Sequence, residues 1–165
     1  MRSIQRLALL VCGALASVST PAFGAYSCSV SSGGSINFLS YDSTSALTAN
    51  ATVTLTCTHL AGGAENIPWT MTLSNGSSGT CLGATGRTMQ RMVVPAATVG
   101  YNIYQNSTAT EWGNTGCGTY PVGVLRVTNG KPVDTTTQTL HGVMPAGQLV
   151  PAGSYSETLL LTVMF

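Results

Sequence analysis

The sequence predicts an all-β protein, and the fold class that fits it best is an immunoglobulin-like sandwich held by two disulfides. Short runs of threonine, valine, leucine and tyrosine recur along the chain, and turn residues separate them roughly every ten residues. Within the runs, apolar and polar residues alternate, which is typical of strands buried on one face. The apolar spacing of an amphipathic helix is absent after residue 24. About seven short strands with such turns indicate a two-sheet sandwich.

The predicted strands follow one another without a linker or an internal repeat. In the second of them, Val53, Leu55 and Cys57 alternate with threonines, which predicts one buried and one polar face. The last one places Leu159, Leu161 and Val163 on one face, together with Tyr155 and Phe165. The seven segments span residues 35–39, 51–58, 69–74, 99–105, 121–128, 136–143 and 155–165.

The first 24 residues have the pattern of a secretory signal peptide. Arg2 and Arg6 precede an apolar run over residues 7–18, and small residues at Ala22 and Gly24 fit the positions that signal peptidase reads. The run is shorter than the roughly 20 apolar residues that a membrane-spanning helix needs. We therefore expect cleavage after Gly24, export of one domain over residues 25–165, and no membrane span.

The charge of the chain is too low for several classes of partner. Charged residues make up 7% of the sequence, and they form no basic cluster. Nucleic-acid binding and attachment to anionic lipid both need concentrated positive charge, so neither is expected.

Four cysteines follow the predicted cleavage site: Cys28, Cys57, Cys81 and Cys117. An even number of cysteines in an exported chain predicts two disulfides. Three pairings are possible, and we favour Cys28–Cys57 with Cys81–Cys117, which joins neighbours along the chain. The cysteines show no Cys-x-x-Cys spacing, so a zinc or redox site is not expected.

The sequence contains no recognisable catalytic pattern, so the prediction is that the protein is not an enzyme and takes no cofactor. His59 and His141 belong to no metal-binding motif, and the acidic residues are scattered. Neither a nucleophile elbow nor a phosphate-binding glycine loop is present. Trp69 and Trp112 would bind sugars only if exposed, and both are expected to be buried.

The two ends of the predicted domain suggest that it is incomplete. The last predicted strand runs to residue 165, and only three residues separate the predicted cleavage site from Cys28. An apolar edge strand that nothing covers is an aggregation hazard. We therefore expect the sandwich to lack its final strand and another polypeptide to supply it.

Five segments, in order, resemble the spore coat protein U domain family, which includes the pilins of archaic chaperone–usher pili. The final segment ends in Gly153, Tyr155, Glu157 and Thr158, where Glu157 stands in place of the family's usual Asp, followed by an alternating strand. The early segment has Phe38-Leu39 where the family has Phe-Gly. The segments are SINFLSYD (35–42), VTLTC (53–57), GRTMQR (86–91), the stretch 99–113 and HGVMPAGQLVPAGSYSETLLLTVMF (141–165).

This resemblance implies a surface-pilus subunit that supports adhesion and biofilm formation. Its partners would be a periplasmic chaperone, an outer-membrane usher and neighbouring pilins, and it would pass through the periplasm to the cell surface. The chain has no room for a donor extension before Cys28, which fits a tip or terminal subunit. The alternatives are a secreted spore or cell-coat protein and a carbohydrate- or surface-binding adhesin domain.

The same resemblance implies a groove that accepts the partner's strand. Backbone pairing would give affinity, and alternate side chains of the partner would enter pockets. The residues expected to line the groove are Val30, Ile36, Phe38, Leu159, Leu161, Val163 and Phe165.

Overall fold

In a computed structural model, the described residues (25–33, 35–107 and 109–165) form nine strands and one 3₁₀ turn, Gly76–Ser78. The predicted signal peptide, residues 1–24, lies outside the described residues. The strands are β1 (Tyr26–Ser32), β2 (Leu47–His59), β3 (Glu65–Leu73), β4 (Arg87–Arg91), β5 (Thr98–Gln105), β6 (Val122–Val127), β7 (Val133–Met144), β8 (Tyr155–Ser156) and β9 (Leu161–Met164).

The strands form two sheets that pack as a sandwich, which confirms the predicted fold class. The large sheet has the order β1-β2-β7-β5-β4-β8, and the small sheet has the order β6-β3-β9. All the pairings within them are antiparallel. The small sheet has half as many strands as the large one, so it can cover only part of the large sheet's inner face.

Both sheets contribute buried side chains to one core. Val53 and Leu55 of β2 and Ile67 and Met71 of β3 belong to the same core cluster, and all four side chains are buried. The alternating threonines of β2 lie on the outer face, where Thr54 hydrogen-bonds across the ladder to Thr137 of β7 at 2.9 Å. The period-two pattern of the sequence therefore sorts these residues between core and solvent.

Both predicted disulfides are confirmed. Cys28 joins Cys57 across the β1–β2 ladder, and the two residues are 29 positions apart in the sequence. Cys81 joins Cys117 over 36 positions, which links the segment before β4 to the loop before β6. Closing loops of this length limits the conformations of the unfolded chain.

A buried arginine organises the side of the sandwich next to the second disulfide. The Arg87 guanidinium donates to the Asn102 side-chain oxygen at 2.5 Å, to the Trp112 carbonyl at 2.6 Å and to the Ser74 carbonyl at 3.1 Å. Arg87, Asn102 and Trp112 each have no exposed surface. Asn102 in turn donates to the Cys81 carbonyl at 2.8 Å. Because the polar groups of these buried side chains are hydrogen-bonded, burying them does not carry the cost of unsatisfied donors or acceptors.

The structure corrects several predicted strands. Residues 35–39 belong to no strand, although their side chains pack on the core. The predicted strand 155–165 is divided between two sheets, with β8 pairing to β4 and β9 to β3. β7 is longer than predicted. β1 and β4 were not predicted: β1 alternates Tyr26, Cys28 and Val30 with serines but is too rich in serine to stand out, and β4 contains two arginines and a glutamine without a clear apolar alternation.

Candidate functional site: an open strand edge and its groove

β9 is paired on one side only among the described strands. It hydrogen-bonds to β3, and its other edge has no neighbour in the small sheet. An unpaired edge presents a row of backbone donors and acceptors to any strand that approaches it. The open edge therefore has the chemistry needed to accept one more strand.

The side chains beside this edge are incompletely covered. Leu73 of β3 and Leu161 of β9 are direct partners in the ladder, so both face inward. Leu73 is 2% exposed, whereas Leu161 is only half-buried. The next inward pair repeats the contrast, since Met71 is fully buried and Val163 is half-buried. The inward side chains of β9 are therefore less well covered than those of β3.

An apolar cavity of about 360 Å³ lies between β9 and the large sheet. We call it the strand-side cavity. Leu159 and Leu161 line it from the small-sheet side, and Ile36 and Phe38 line it from the opposite side. Its remaining wall includes Ala51, Val53, Leu73, Met89, Tyr101, Ile103, Leu140 and Glu157. The open edge of β9, residues 35–39 and this cavity together form the groove.

Residues 35–39 pack directly against Gly142 of β7. A Cβ atom on Gly142 of β7 would lie 2.7 Å from Phe38 Cζ and 2.9 Å from Ile36 Cγ2, which is too close for any side chain. Phe38 is 8% exposed and meets the Tyr101 ring edge to face, with 5.7 Å between ring centroids. Gly142 thus lets an irregular segment cover the large sheet without strand pairing.

Glu157 fixes the chain where it enters the groove. Its carboxylate accepts hydrogen bonds from the Tyr101 hydroxyl, the Ser77 amide at 2.6 Å and the Ser77 hydroxyl at 2.9 Å. Burial, followed by the contact with Glu157, raises the pKa of Tyr101, so its hydroxyl stays protonated and donates. Gly76 has a positive φ of 68°, and a Cβ there would lie 2.1 Å from the Glu157 carboxylate.

A second cavity, of about 520 Å³, continues the groove toward the loops at one end of the sandwich. We call it the loop-side cavity. It shares Ile36, Phe38 and Met89 with the strand-side cavity, and its far wall is formed by residues 150–155. The two cavities therefore meet at these three side chains.

The structure brings four of the seven predicted groove residues together around the strand-side cavity: Ile36, Phe38, Leu159 and Leu161. Val30 lies on the inward face of β1 opposite Leu55, is 44% exposed, and lines neither cavity. Val163 continues the inward face of β9 beyond the cavities, and Phe165, which follows the end of β9, is 49% exposed. Sequence reasoning missed Met89 and Tyr101, because no strand was predicted at β4 and because a tyrosine in a strand carries no signal for a groove.

The groove is a surface for packing and backbone pairing. Glu157 is the one charged side chain among the residues that line its two cavities, and its carboxylate is already hydrogen-bonded. Within the described ranges, His, Cys, Asp and Glu nowhere gather into a metal-binding group, and no helix has the length and hydropathy to cross a bilayer. Trp69 and Trp112 are 6% and 0% exposed, so neither presents a sugar-binding face.

The fold and groove define a disulfide-bonded β-sandwich domain with an open strand edge, and comparison with protein-family models places it more narrowly. The model for the Spore Coat Protein U domain matches residues 14–162. The chain therefore belongs to this family, which confirms the resemblance found in the sequence. The match begins inside the predicted signal peptide, so the domain boundary after Gly24 stays a prediction.

Comparison with solved structures supports the fold. The chain is similar to a chain of the CsuC–CsuE complex, a chaperone–tip adhesion subunit pre-assembly complex from archaic chaperone-usher Csu pili of Acinetobacter baumannii. The TM-score is 0.50 at 17% identity, and the alignment covers 85% of this chain and 40% of that one. At this identity the likeness concerns the fold. Comparison of the sequence with curated proteins returns no match.

Proposed function

We propose that this chain is a structural subunit of a chaperone–usher surface pilus, and that a strand from a partner completes its sandwich. The observation that carries the proposal is the open edge of β9 beside an apolar cavity, where Leu161 is half-buried although its ladder partner Leu73 is buried. A strand laid along β9 would pair its backbone and cover these side chains at once. Its role is structural rather than catalytic.

The expected occupant is an extended peptide with apolar side chains at alternate positions. Alternation follows from strand geometry, since every second side chain of a strand beside β9 points into the groove. Four or five such side chains would contribute about 6–15 kcal/mol before the cost of ordering. Because this is comparable to the stability of a whole domain, we expect the isolated subunit to be unstable relative to the completed domain, or to self-associate.

The partners follow from this mode of completion. A periplasmic chaperone would hold the groove first, and a neighbouring pilin would replace it at the outer-membrane usher. The structural neighbour, a chaperone–subunit pre-assembly complex, and the family membership both support this order. Export through the periplasm to a surface pilus, a tip or terminal position, and a role in adhesion and biofilm formation belong to the same proposal.

The test is co-expression with a candidate periplasmic chaperone of the producing organism, followed by purification of the complex. Two neighbouring substitutions form a matched pair, because Leu161 faces the groove and Thr162 faces solvent. We expect a one-to-one complex for the native chain and for Thr162→Asp, and loss of that complex for Leu161→Asp. A native chain that stays a soluble, reversibly folding monomer and ignores the chaperone would support a coat protein or a free surface-binding domain instead.

A further inference from the structure

One end of the sandwich exposes a cluster of apolar side chains. Three loops form this end: residues 39–45, 92–97 and 145–153. Monomeric proteins seldom leave contiguous apolar patches in water unless something binds there. We call this surface the apolar end. Its exposed members are Leu39 (84%), Met92 (65%), Val93 (55%), Val94 (91%) and Leu149 (91%).

The loops of the apolar end are fixed in place by hydrogen bonds. Arg91 donates to the Pro95 carbonyl at 3.0 Å and to the Ala152 carbonyl at 3.1 Å, so one side chain ties two loops together. The Tyr41 hydroxyl donates to the Pro145 carbonyl at 2.8 Å, which adds the third loop. The exposed side chains are therefore presented on a connected framework, which lowers the entropy lost when a partner binds.

The apolar end is continuous with the groove. Leu39 and residues 150–153 line the loop-side cavity, which meets the strand-side cavity at Ile36, Phe38 and Met89. A strand that fills both cavities therefore reaches the apolar end. The polypeptide to which that strand belongs must leave the groove at one end of the sandwich or the other.

The two ends differ in charge. At the opposite end, the turn after β6 carries the Lys131–Asp134 ion pair, and Arg126 nearby is exposed. At the apolar end, the charged side chains are Arg91, which is bonded to carbonyls, and Asp42, which accepts from the Thr44 amide at 2.9 Å. The apolar end is thus the one whose burial removes more apolar surface from water.

From these observations we infer that the apolar end is the surface on which the body of the strand-donating subunit packs. The inference rests on the proposed function and adds a second contact to it: the donor strand lies in the groove, and the domain that carries it sits on the loops at 39–45, 92–97 and 145–153. Arg91 acts as the positioning residue of this surface.

The experiment is photo-crosslinking in the producing organism, with p-benzoylphenylalanine introduced at one position at a time. Val94 and Leu149 probe the apolar end, and Thr158, an exposed residue at the wall of the strand-side cavity, probes the groove. Val124, which is 62% exposed on β6 at the other edge of the small sheet, is the control. Fibres are sheared from cells before analysis, so that contacts with the chaperone are left behind. We expect positions 94, 149 and 158 to crosslink to another fibre subunit, and position 124 not to.

The outcomes separate the inference from the function on which it rests. An adduct at 158 with none at 94 or 149 would overturn the packing contact and leave strand donation standing. Absence of an adduct at all three positions would overturn both. A second measurement is the doubly substituted Val94→Ser/Leu149→Ser chain, for which we expect fewer fibres and an unchanged chaperone complex. Fibres formed in normal amount that no longer attach to polystyrene would assign this surface to attachment instead and overturn the inference.

Discussion

Leu73 and Leu161 are the same residue type, direct partners in one ladder, and both face the core, yet Leu73 is buried and Leu161 is partly exposed. The difference extends to the regions around them. On the side of Arg87 and Cys81, polar groups are paired and the large side chains have no exposed surface. On the side of β9, the backbone edge is unpaired and a cavity remains. The sandwich is closed on the side of Arg87 and Cys81, which we call the finished side. On the side of β9, a strand edge and a cavity remain uncovered.

The largest effect is expected from removing the arginine that closes the finished side. Arg87→Met leaves the Trp112 and Ser74 carbonyls without this donor, while Asn102 Oδ1 keeps the Ile103 amide, and at roughly 1–3 kcal/mol for each carbonyl the loss of stability should total about 2–6 kcal/mol. Urea unfolding followed by tryptophan fluorescence measures it, because the buried Trp112 indole becomes exposed to water when the chain unfolds. The control is Arg126→Met on the exposed face of β6, expected within about 0.5 kcal/mol. Equal effects would show that the finished side does not depend on this network.

Removing the second disulfide should have the next largest effect. Cys81→Ser together with Cys117→Ser opens a loop of 36 residues, which the chain-entropy model values at about 3–4 kcal/mol. Urea unfolding of this variant and of the native chain gives the difference. Since the disulfide lies away from the groove, chaperone binding by the folded fraction should be unchanged. Loss of that binding would mean that the two regions are not independent.

The two leucines provide the direct test of the comparison. Leu73→Ala removes a buried side chain and should destabilise the isolated chain by about 3 kcal/mol, whereas Leu161→Ala should lower its stability by about 1 kcal/mol, because part of that side chain is already in water. With a partner strand in the groove, the cost of Leu161→Ala should rise toward that of Leu73→Ala. Unfolding with and without bound chaperone measures both. Equal costs in the isolated chain would contradict an open edge.

A smaller effect is expected where the irregular segment 35–39 meets the large sheet. Gly142→Ala places a Cβ within 3 Å of Phe38 and Ile36, so the segment must shift, at about 1–3 kcal/mol of stability. We also expect weaker chaperone binding, because the same two side chains line the groove. Gly130→Ala, in the exposed turn before β7, is the control, since a Cβ there meets nothing closer than 3.9 Å. Similar losses in both variants would contradict the seating of Phe38 on Gly142.

The smallest effect concerns a surface carboxylate far from the groove. The pKa of Asp134 is lowered from its usual value near 3.8, first by the hydrogen bond from Lys131 and then by the Arg126 amide. Its contribution is therefore present above that value and is lost as the pH falls through the lower pKa of the folded chain. Asp134→Asn should change stability by at most about 0.5 kcal/mol at neutral pH, and the difference should vanish in acid. Unfolding midpoints of both chains, measured at neutral pH and at a pH below the pKa of folded Asp134, check this prediction. A stability difference that grows in acid would contradict the predicted direction of the pH dependence.

The sequence was most informative where a strand is covered on one face only. Alternation of apolar and polar residues predicted the core of β2 and β3, because burial sorts those side chains by parity. It failed at residues 35–39, where Ile36 and Phe38 alternate like a strand but rest on Gly142 without strand pairing. It also failed at residues 155–165, because periodicity does not show that a segment leaves one sheet for another.

The groove could be anticipated only in part. The inward parity of Leu159 and Leu161 was readable from the last segment, and both line the cavity. The opposite wall depends on contacts between residues far apart in the sequence, such as Met89 and Tyr101, and no local pattern encodes those. Glu157, which the sequence showed only as a replacement for the family's Asp, makes structural hydrogen bonds with Tyr101 and Ser77.

The passage of the chain from β8 to β9 has a mechanical consequence. β8 is bonded to the large sheet, β9 to the small sheet, and Glu157 between them is anchored to Ser77 and Tyr101. Tension transmitted along β9 acts parallel to its ladder, so its hydrogen bonds are loaded together in shear rather than opened one by one. Any tension that reaches Glu157 is shared with the large sheet, so a pull on this edge is resisted by both layers of the domain.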